Sequence, residues 1–336
     1  MNTIRPIGQA ITSTNYTAQK RLFNFNPEPI REAAENFLAA GITELEIPIG
    51  VLDPDGRCPE EGVDRDTLGR TVAGLPAQTR VIASYIGGST IGKDNAAFLE
   101  TTRRQIDHLV EFFPHVMQTM VHPAHIPNMT ADDVRAVVNT WAELAAYADQ
   151  QKPGFQCCLH NHYDSSCETA EQMRTYLDAL RAADQPALRW GPDLGHCGGM
   201  GDQFLPVLED YADLIGNHFH IKTRVPAFDP LHEPERYRED RDMWSSKAEF
   251  GRGLYGGFVC CADPEIETPL TEAFAIIREK AQPTDGVVTG AIEIDIPRQH
   301  PRLEILCSVL YLKAVHGIEP SMALSYEDIV KRAFGV

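Results

Sequence analysis

Short apolar runs alternate with amphipathic stretches along the whole chain. In residues 29–40, Ile30, Ala33, Ala34, Phe37 and Leu38 recur at the spacing of one buried helix face, and Gly41 follows as a stop. The same spacing marks 94–113 through Phe98, Ile106, Leu109, Val110 and Phe113. It marks the helix begun by Thr130 through Val134, Val137, Val138, Trp141 and Leu144. Further helices are predicted over 169–182, 204–214, 269–280 and 301–315, with a last short one at 325–334. Apolar runs too short for helices, at 4–11, 45–49, 80–86, 116–121, 155–160, 188–190, 218–221 and 287–294, read as strands.

Strand followed by helix, repeated over 336 residues, predicts a single-domain α/β fold, a closed (β/α)8 TIM barrel. A doubly wound open sheet is the alternative, but no GxGxxG follows the first strand. No linker divides the chain. Two long loops interrupt the rhythm. Residues 50–79 are rich in Gly, Pro and Asp, and 223–262 carry PAFDPLHEPERYREDRDMW and then GRGLYGG. Loops of that length are expected to act as lids or binding surfaces.

Charge narrows the partners. A formal net charge of -18 repels phosphate backbones and anionic membranes, which disfavours nucleic acid and membrane surfaces and suits a neutral sugar together with a cation. The eight cysteines include two adjacent pairs, Cys157–Cys158 and Cys260–Cys261, a spacing that fits neither a disulfide framework nor a zinc knot. Reduced thiols and the absence of a secretory-type leader at the N-terminus make a cytoplasmic location the expectation.

The candidate chemistry gathers at predicted strand ends, the face of a barrel where active sites form. The runs GPDLGHCGGMG (191–201) and HFHIK (218–222) set Asp193 and His196 at the end of one strand and His218 and His220 on the next. Residues two apart on a strand point the same way, so His218 and His220 aim at one place. Lys222 ends the same run as His220, and Glu46, His122, His160, His162, Glu293 and Asp295 sit at other strand ends. Charged groups are rarely buried unless paired or bound to metal. His160, Asp193, His220 and Glu293 come from four successive strands and supply two imidazoles and two carboxylates. Such mixed N/O ligation suits a divalent metal, with Mn²⁺ the leading expectation and Zn²⁺, Co²⁺ or Fe²⁺ the alternatives. His162, His122, Lys222 and Glu46 are the expected proton-transfer groups. His196, Arg224 and His218 are expected to bind substrate.

The motifs LHNH followed by CETAEQM, PDLGH, HFHIK and GAIEIDIP together resemble the xylose isomerase-like TIM barrel superfamily of sugar isomerases, epimerases and dehydratases. The resemblance covers about residues 154–300. It implies that Asp193, His220 and Glu293 are metal ligands, with Asp295 the alternative to Glu293, and that His196 and Arg224 touch substrate. Many epimerases of the superfamily end the fifth strand in a glutamate, where this chain has His160-Asn161-His162. That departure is similar to the inosose dehydratase branch and removes one of two expected carboxylate bases.

The resemblance therefore implies metal-dependent proton abstraction beside a carbonyl, through an enediolate, on a keto sugar, cyclitol or keto-glycoside. Elimination is the expected outcome. C-glycoside deglycosidase large subunits provide a second parallel, and with it the expectation of a small partner subunit; a homo-oligomer is the other. Isomerisation or epimerisation through the same enediolate is the alternative. An endonuclease IV-like nuclease and a non-catalytic barrel subunit are weaker ones.

Overall fold

The apolar runs pair edge to edge as parallel strands, because each is followed by a helix that returns the chain to the same end of the sheet. The protein is seen in a computed structural model that describes residues 1–10, 27–49, 65–86, 95–122, 129–162, 165–224, 258–259, 261–262, 268–294, 300–325, 327–328 and 331. The barrel strands are β1 (Thr3–Gln9), β2 (Glu44–Pro48), β3 (Arg80–Ile86), β4 (Gln118–Val121), β5 (Gln156–His160), β6 (Leu188–Gly191), β7 (His218–Ile221) and β8 (Val287–Ile292). The helices are α1 (Pro27–Ala39), α2 (Arg65–Gly74), α3 (Asn95–Phe112), α4 (Ala131–Gln151), α5 (Ala170–Ala183), α6 (Phe204–Tyr211), α7 (Leu270–Lys280) and α8 (Pro301–His316).

Strand order is β6-β5-β4-β3-β2-β1-β8-β7 in one eight-stranded sheet. The ends of that sheet meet through two single parallel bridges, Trp190↔Ile215 and Asp193↔His220. The result is a nearly closed (β/α)8 barrel, as the alternating pattern predicts. The seam between β6 and β7 is closed by these isolated bridges rather than by a continuous ladder.

The main core lies between sheet and helices. Phe37 of α1, Phe155, Trp190, Phe219 and Phe274 of α7 are fully buried there. Close packing fixes some residues outright: a Cβ on Gly8 of β1 would stand 2.4 Å from the Phe37 ring. Inside the barrel the apolar filling is small, Ile7, Ala83 and Ala291. A polar layer lies nearby. Gln118 Nε2 donates to Thr289 Oγ1 at 3.0 Å, and the Asn217 backbone N–H donates to Gln156 Oε1 at 2.8 Å.

The expectation of a loop over 50–79 is corrected in part. Residues 65–74 form α2, and residues 50–64 lie outside the described residues. Only Thr67, Leu68 and Thr71 of α2 are buried, and Gly69 and Gly74 dilute the pattern, so its apolar stripe is too narrow to stand out. Of 223–262, Thr223–Arg224 pairs antiparallel with Phe258–Val259, so the segment is rooted on a short ribbon; 225–257 lie outside the described residues. Most of the expected helix at 325–334 does so too.

Helix ends follow local chemistry. Thr130 caps α4 with a reciprocal box: its side chain accepts from the Asp133 N–H, and Asp133 accepts from the Thr130 N–H. Thr169 and Gln172 do the same for α5. Replacing Thr130 by Ala should lower unfolding free energy by about 1 kcal/mol, measured by urea denaturation, without altering metal binding.

Candidate metal centre

The end of β6 holds Asp193 with unusual rigidity. Its backbone N–H donates to Asn161 Oδ1 at 2.9 Å, and its carbonyl accepts from Asn161 Nδ2 at 3.1 Å. Its Oδ1 accepts the His196 N–H at 2.8 Å. Only Oδ2 is left without a hydrogen-bond partner among the described residues, and the side chain is fully buried. Asn161 was passed over in the motif LHNH because it alternates with the two histidines and reads as a residue facing away from them.

Oδ2 points at β7 and β8. His220 Nδ1 lies 3.4 Å from Asp193 Oδ2 and 2.8 Å from Glu293 Oε2. His160 Nε2 lies 3.9 Å from Asp193 Oδ2. Asp193 Oδ2, His220 Nδ1 and Glu293 Oε2 are all buried, and none has a hydrogen bond of good geometry. Ligands about 2.0–2.2 Å from one ion stand about 3.0–3.5 Å apart, a separation that Asp193 Oδ2 and His220 Nδ1 meet. His160, Asp193 and His220 also have ligand atoms within 4.8 Å of one another, as do two overlapping groups, Glu46–His218–His220 and His122–His160–His162.

Lys222, next along the chain from β7, reaches the same place. Its Nζ is 3.2 Å from Glu293 Oε1, 3.8 Å from Asp193 Oδ2 and 3.0 Å from His196 Nε2. Gly195 makes this possible: a Cβ there would stand 2.6 Å from Lys222 Cγ. The glycine of PDLGH is thus a consequence of where the lysine stem must lie.

Around this centre runs a row of imidazoles. His162 lies against His196 with ring centroids 3.9 Å apart and against His122 at 4.7 Å. His160 sits 4.9 Å from His220, and Tyr85 meets His122 and His160 edge-on at 5.8 and 6.1 Å. His122, His160 and His196 are buried, and His162 is half-buried. Tyr85 escapes a sequence reading because an aromatic residue near a strand end looks like ordinary core.

Electrostatics separates the groups. Burial, then His220 and other imidazoles, push His160 well below the usual histidine range. Burial, then His162 and Lys222, do the same to His196. Both rings are therefore neutral electron-pair donors near neutral pH. Burial also opposes charge on His220, but Glu46, Glu293 and Asp193 outweigh it and raise that imidazole well above its usual range. Burial raises the Asp193 carboxyl against the pull of Lys222 and His220. At Glu293 burial is overcome by Lys222 and His220, and the carboxyl falls well below its usual range. Burial pushes Tyr85 up, helped by the Glu293 and Glu46 carboxylates, so its hydroxyl stays protonated.

Two expected roles do not match the positions found. Glu46 and His218 are expected to act in proton transfer and substrate binding respectively. They are fully buried and bonded to each other, with Glu46 Oε2 also 3.0 Å from His220 Nε2. Both stand behind His220, on the side away from Asp193 and Glu293. Burial works to raise Glu46, and His220 and His218 reverse it, leaving its carboxyl below the usual range. Asp295 and the Arg224 side chain lie outside the described residues.

No protein-family model matches the chain, and no curated protein does. Solved structures do. A sugar phosphate isomerase/epimerase from Parabacteroides distasonis is 14% identical, with 95% of this chain and 96% of that one covered and a TM-score of 0.60. The probable 3-DHS dehydratase AsbF from Bacillus anthracis is 14% identical over 94% of this chain and 100% of its own, with a TM-score of 0.60. A xylose isomerase-like TIM barrel protein from Mycobacterium smegmatis, in complex with magnesium, is 12% identical over 90% and 97%, with a TM-score of 0.56. The chain therefore shares the (β/α)8 barrel fold of these proteins. The chain spans nearly the full length of each of these proteins.

The crowding at Gly195 gives a test of the lysine's placement. Gly195→Val should displace Lys222 and lower turnover at least about tenfold, since small misplacements of reacting groups are costly. Circular dichroism should show the barrel intact. Unchanged turnover would mean that Lys222 does not act where it lies.

Proposed function

We propose that the protein is a divalent-metal-dependent carbohydrate lyase that removes a proton beside a carbonyl and eliminates a β-substituent. Its substrate is a keto sugar, cyclitol or keto-glycoside. The observation that carries this reading is the buried group His160, Asp193 and His220, whose ligand atoms lie within 4.8 Å of one another, with Glu293 Oε2 2.8 Å from His220 Nδ1. His160 completes the ligand set from the side of β5. Two imidazoles among the ligands favour Mn²⁺, Zn²⁺, Co²⁺ or Fe²⁺ over Mg²⁺, which prefers oxygen, and Mn²⁺ remains the leading ion.

When bound, the cation polarises a carbonyl and the hydroxyl beside it, and offsets the negative charge that develops as the C–H between them is broken. The protein's own groups do the rest. His162, the half-buried imidazole of the row, takes the proton. The C–H electron pair becomes the new C=C bond, and the β C–O pair leaves with oxygen. Lys222 Nζ, set between Glu293 Oε1 and His196 Nε2, gives that oxygen its proton. His122 supports His162 from behind, and His196 borders the substrate space. Glu46 is not assigned as the base, because its carboxylate is committed to His218 and His220.

Elimination is favoured because His160 stands where a second carboxylate base would be needed for epimerisation. The likeness to a solved dehydratase supports it. The likeness to a solved isomerase/epimerase supports the second reading, a proton returned to carbon with no group lost.

Two measurements test this. Asp193→Asn and His220→Ala should each abolish metal retention and activity while the barrel stays folded, since each removes a ligand and little core volume; unfolding of both would make the site structural. With keto sugars in D₂O, the loaded enzyme should incorporate deuterium α to the ketone and release water or an alcohol. Incorporation without loss of any substituent would make the protein an isomerase. Incorporation that survives complete metal removal would exclude the proposal.

A further inference from the structure

Behind His220 the hydrogen-bond roles can be assigned atom by atom. The Thr289 hydroxyl has one proton, and it donates that proton to the Asn217 carbonyl at 3.0 Å. Thr289 Oγ1 therefore only accepts from its other neighbours. One is Gln118 Nε2 at 3.0 Å and another is His218 Nδ1 at 2.8 Å; the Thr289 carbonyl, also an acceptor, lies 3.1 Å from the same nitrogen. Two acceptors facing one ring nitrogen require an N–H there. His218 Nδ1 is thus a donor, and a second proton must lie between His218 Nε2 and Glu46 Oε2, which are in close contact. With that proton in place, Glu46 Oε2 accepts from the other ring nitrogen facing it, His220 Nε2, at 3.0 Å.

We propose that Thr289, His218 and Glu46 form a positioning relay that fixes the His220 Nε2–H and so orients Nδ1 between Asp193 and Glu293, where a cation would take the place of the Nδ1 proton. This inference rests on the reading of Asp193, His220 and Glu293 as a metal centre. It reassigns Glu46 and His218 from the reaction to the preparation of a ligand. A carboxylate hydrogen-bonded to the far nitrogen of a ligating imidazole fixes ring orientation and makes the near nitrogen a better donor. Here the carboxylate is itself fixed by His218, and His218 by the backbone and hydroxyl of Thr289 on β8. All four residues are buried.

The experiment uses the full-length protein, stripped of metal by chelation and titrated with Co²⁺ by calorimetry and visible absorption. Wild-type protein should bind one equivalent. Glu46→Ala should still bind one equivalent, about 10–100-fold more weakly. Glu46→Gln keeps a carbonyl that accepts from His220 and should recover most of that loss. Histidine ¹⁵N spectra of the Zn²⁺-loaded wild type give a readout without mutation, and should show His220 protonated at Nε2 and ligating through Nδ1. A protonated Nδ1 in the loaded protein, or an affinity unchanged in Glu46→Ala, would overturn the relay. So would two bound equivalents falling to one in Glu46→Ala, which would make Glu46, His218 and His220 a second cation site. Failure of the centre itself reads differently: Asp193→Asn would then bind Co²⁺ as tightly as wild type.

Discussion

Three carboxylates, Glu46, Asp193 and Glu293, are buried in the mouth of one barrel, and much else follows from where they lie. A carboxylate in a poorly hydrated interior is costly unless opposite charge and hydrogen bonds surround it. Glu46 is surrounded by His218 and His220, Glu293 has Lys222, and Asp193 has the His196 N–H on one oxygen only. The arrangement leaves one oxygen of each carboxylate without a hydrogen bond. Those of Asp193 and Glu293 face the same imidazole nitrogen. The need for positive charge is thus local and directional, whereas the overall charge of -18 is diffuse.

The surroundings show the same constraint at work. The apolar filling at Ile7, Ala83 and Ala291 is small, so polar side chains cross the interior where larger branched residues commonly stack. Gln118, Gln156, Asn217 and Thr289 occupy that layer and connect β4, β5, β7 and β8. Their bonds are specific in direction, as those of an apolar layer are not, and they set the orientation of His218 from below.

The sequence disclosed the fold where periodicity was strong. The stripes of α1 and α4 are wide and their ends carry stop or cap residues, whereas α2 buries only three residues and passed as loop. The candidate donors stood out because Asp, His and Glu at strand ends have few structural uses. Their division of labour was not. His218 and His220 share a strand face, as their spacing requires, yet one meets the other carboxylates and the other meets Thr289; that depends on the neighbouring strands β2 and β8. Asn161 and Tyr85 were hidden for a related reason, since each acts through a partner distant in sequence.

The seam between β6 and β7 gives the centre a second meaning. Along it, strand pairing is reduced to two single bridges, one of which joins Asp193 to His220. The backbone bonds that close the cylinder and side chains of the candidate centre therefore belong to the same residues. With β6 and β7 apart, Asp193 and His220 do not meet. A cation bridging the two residues would act as a clasp across this seam.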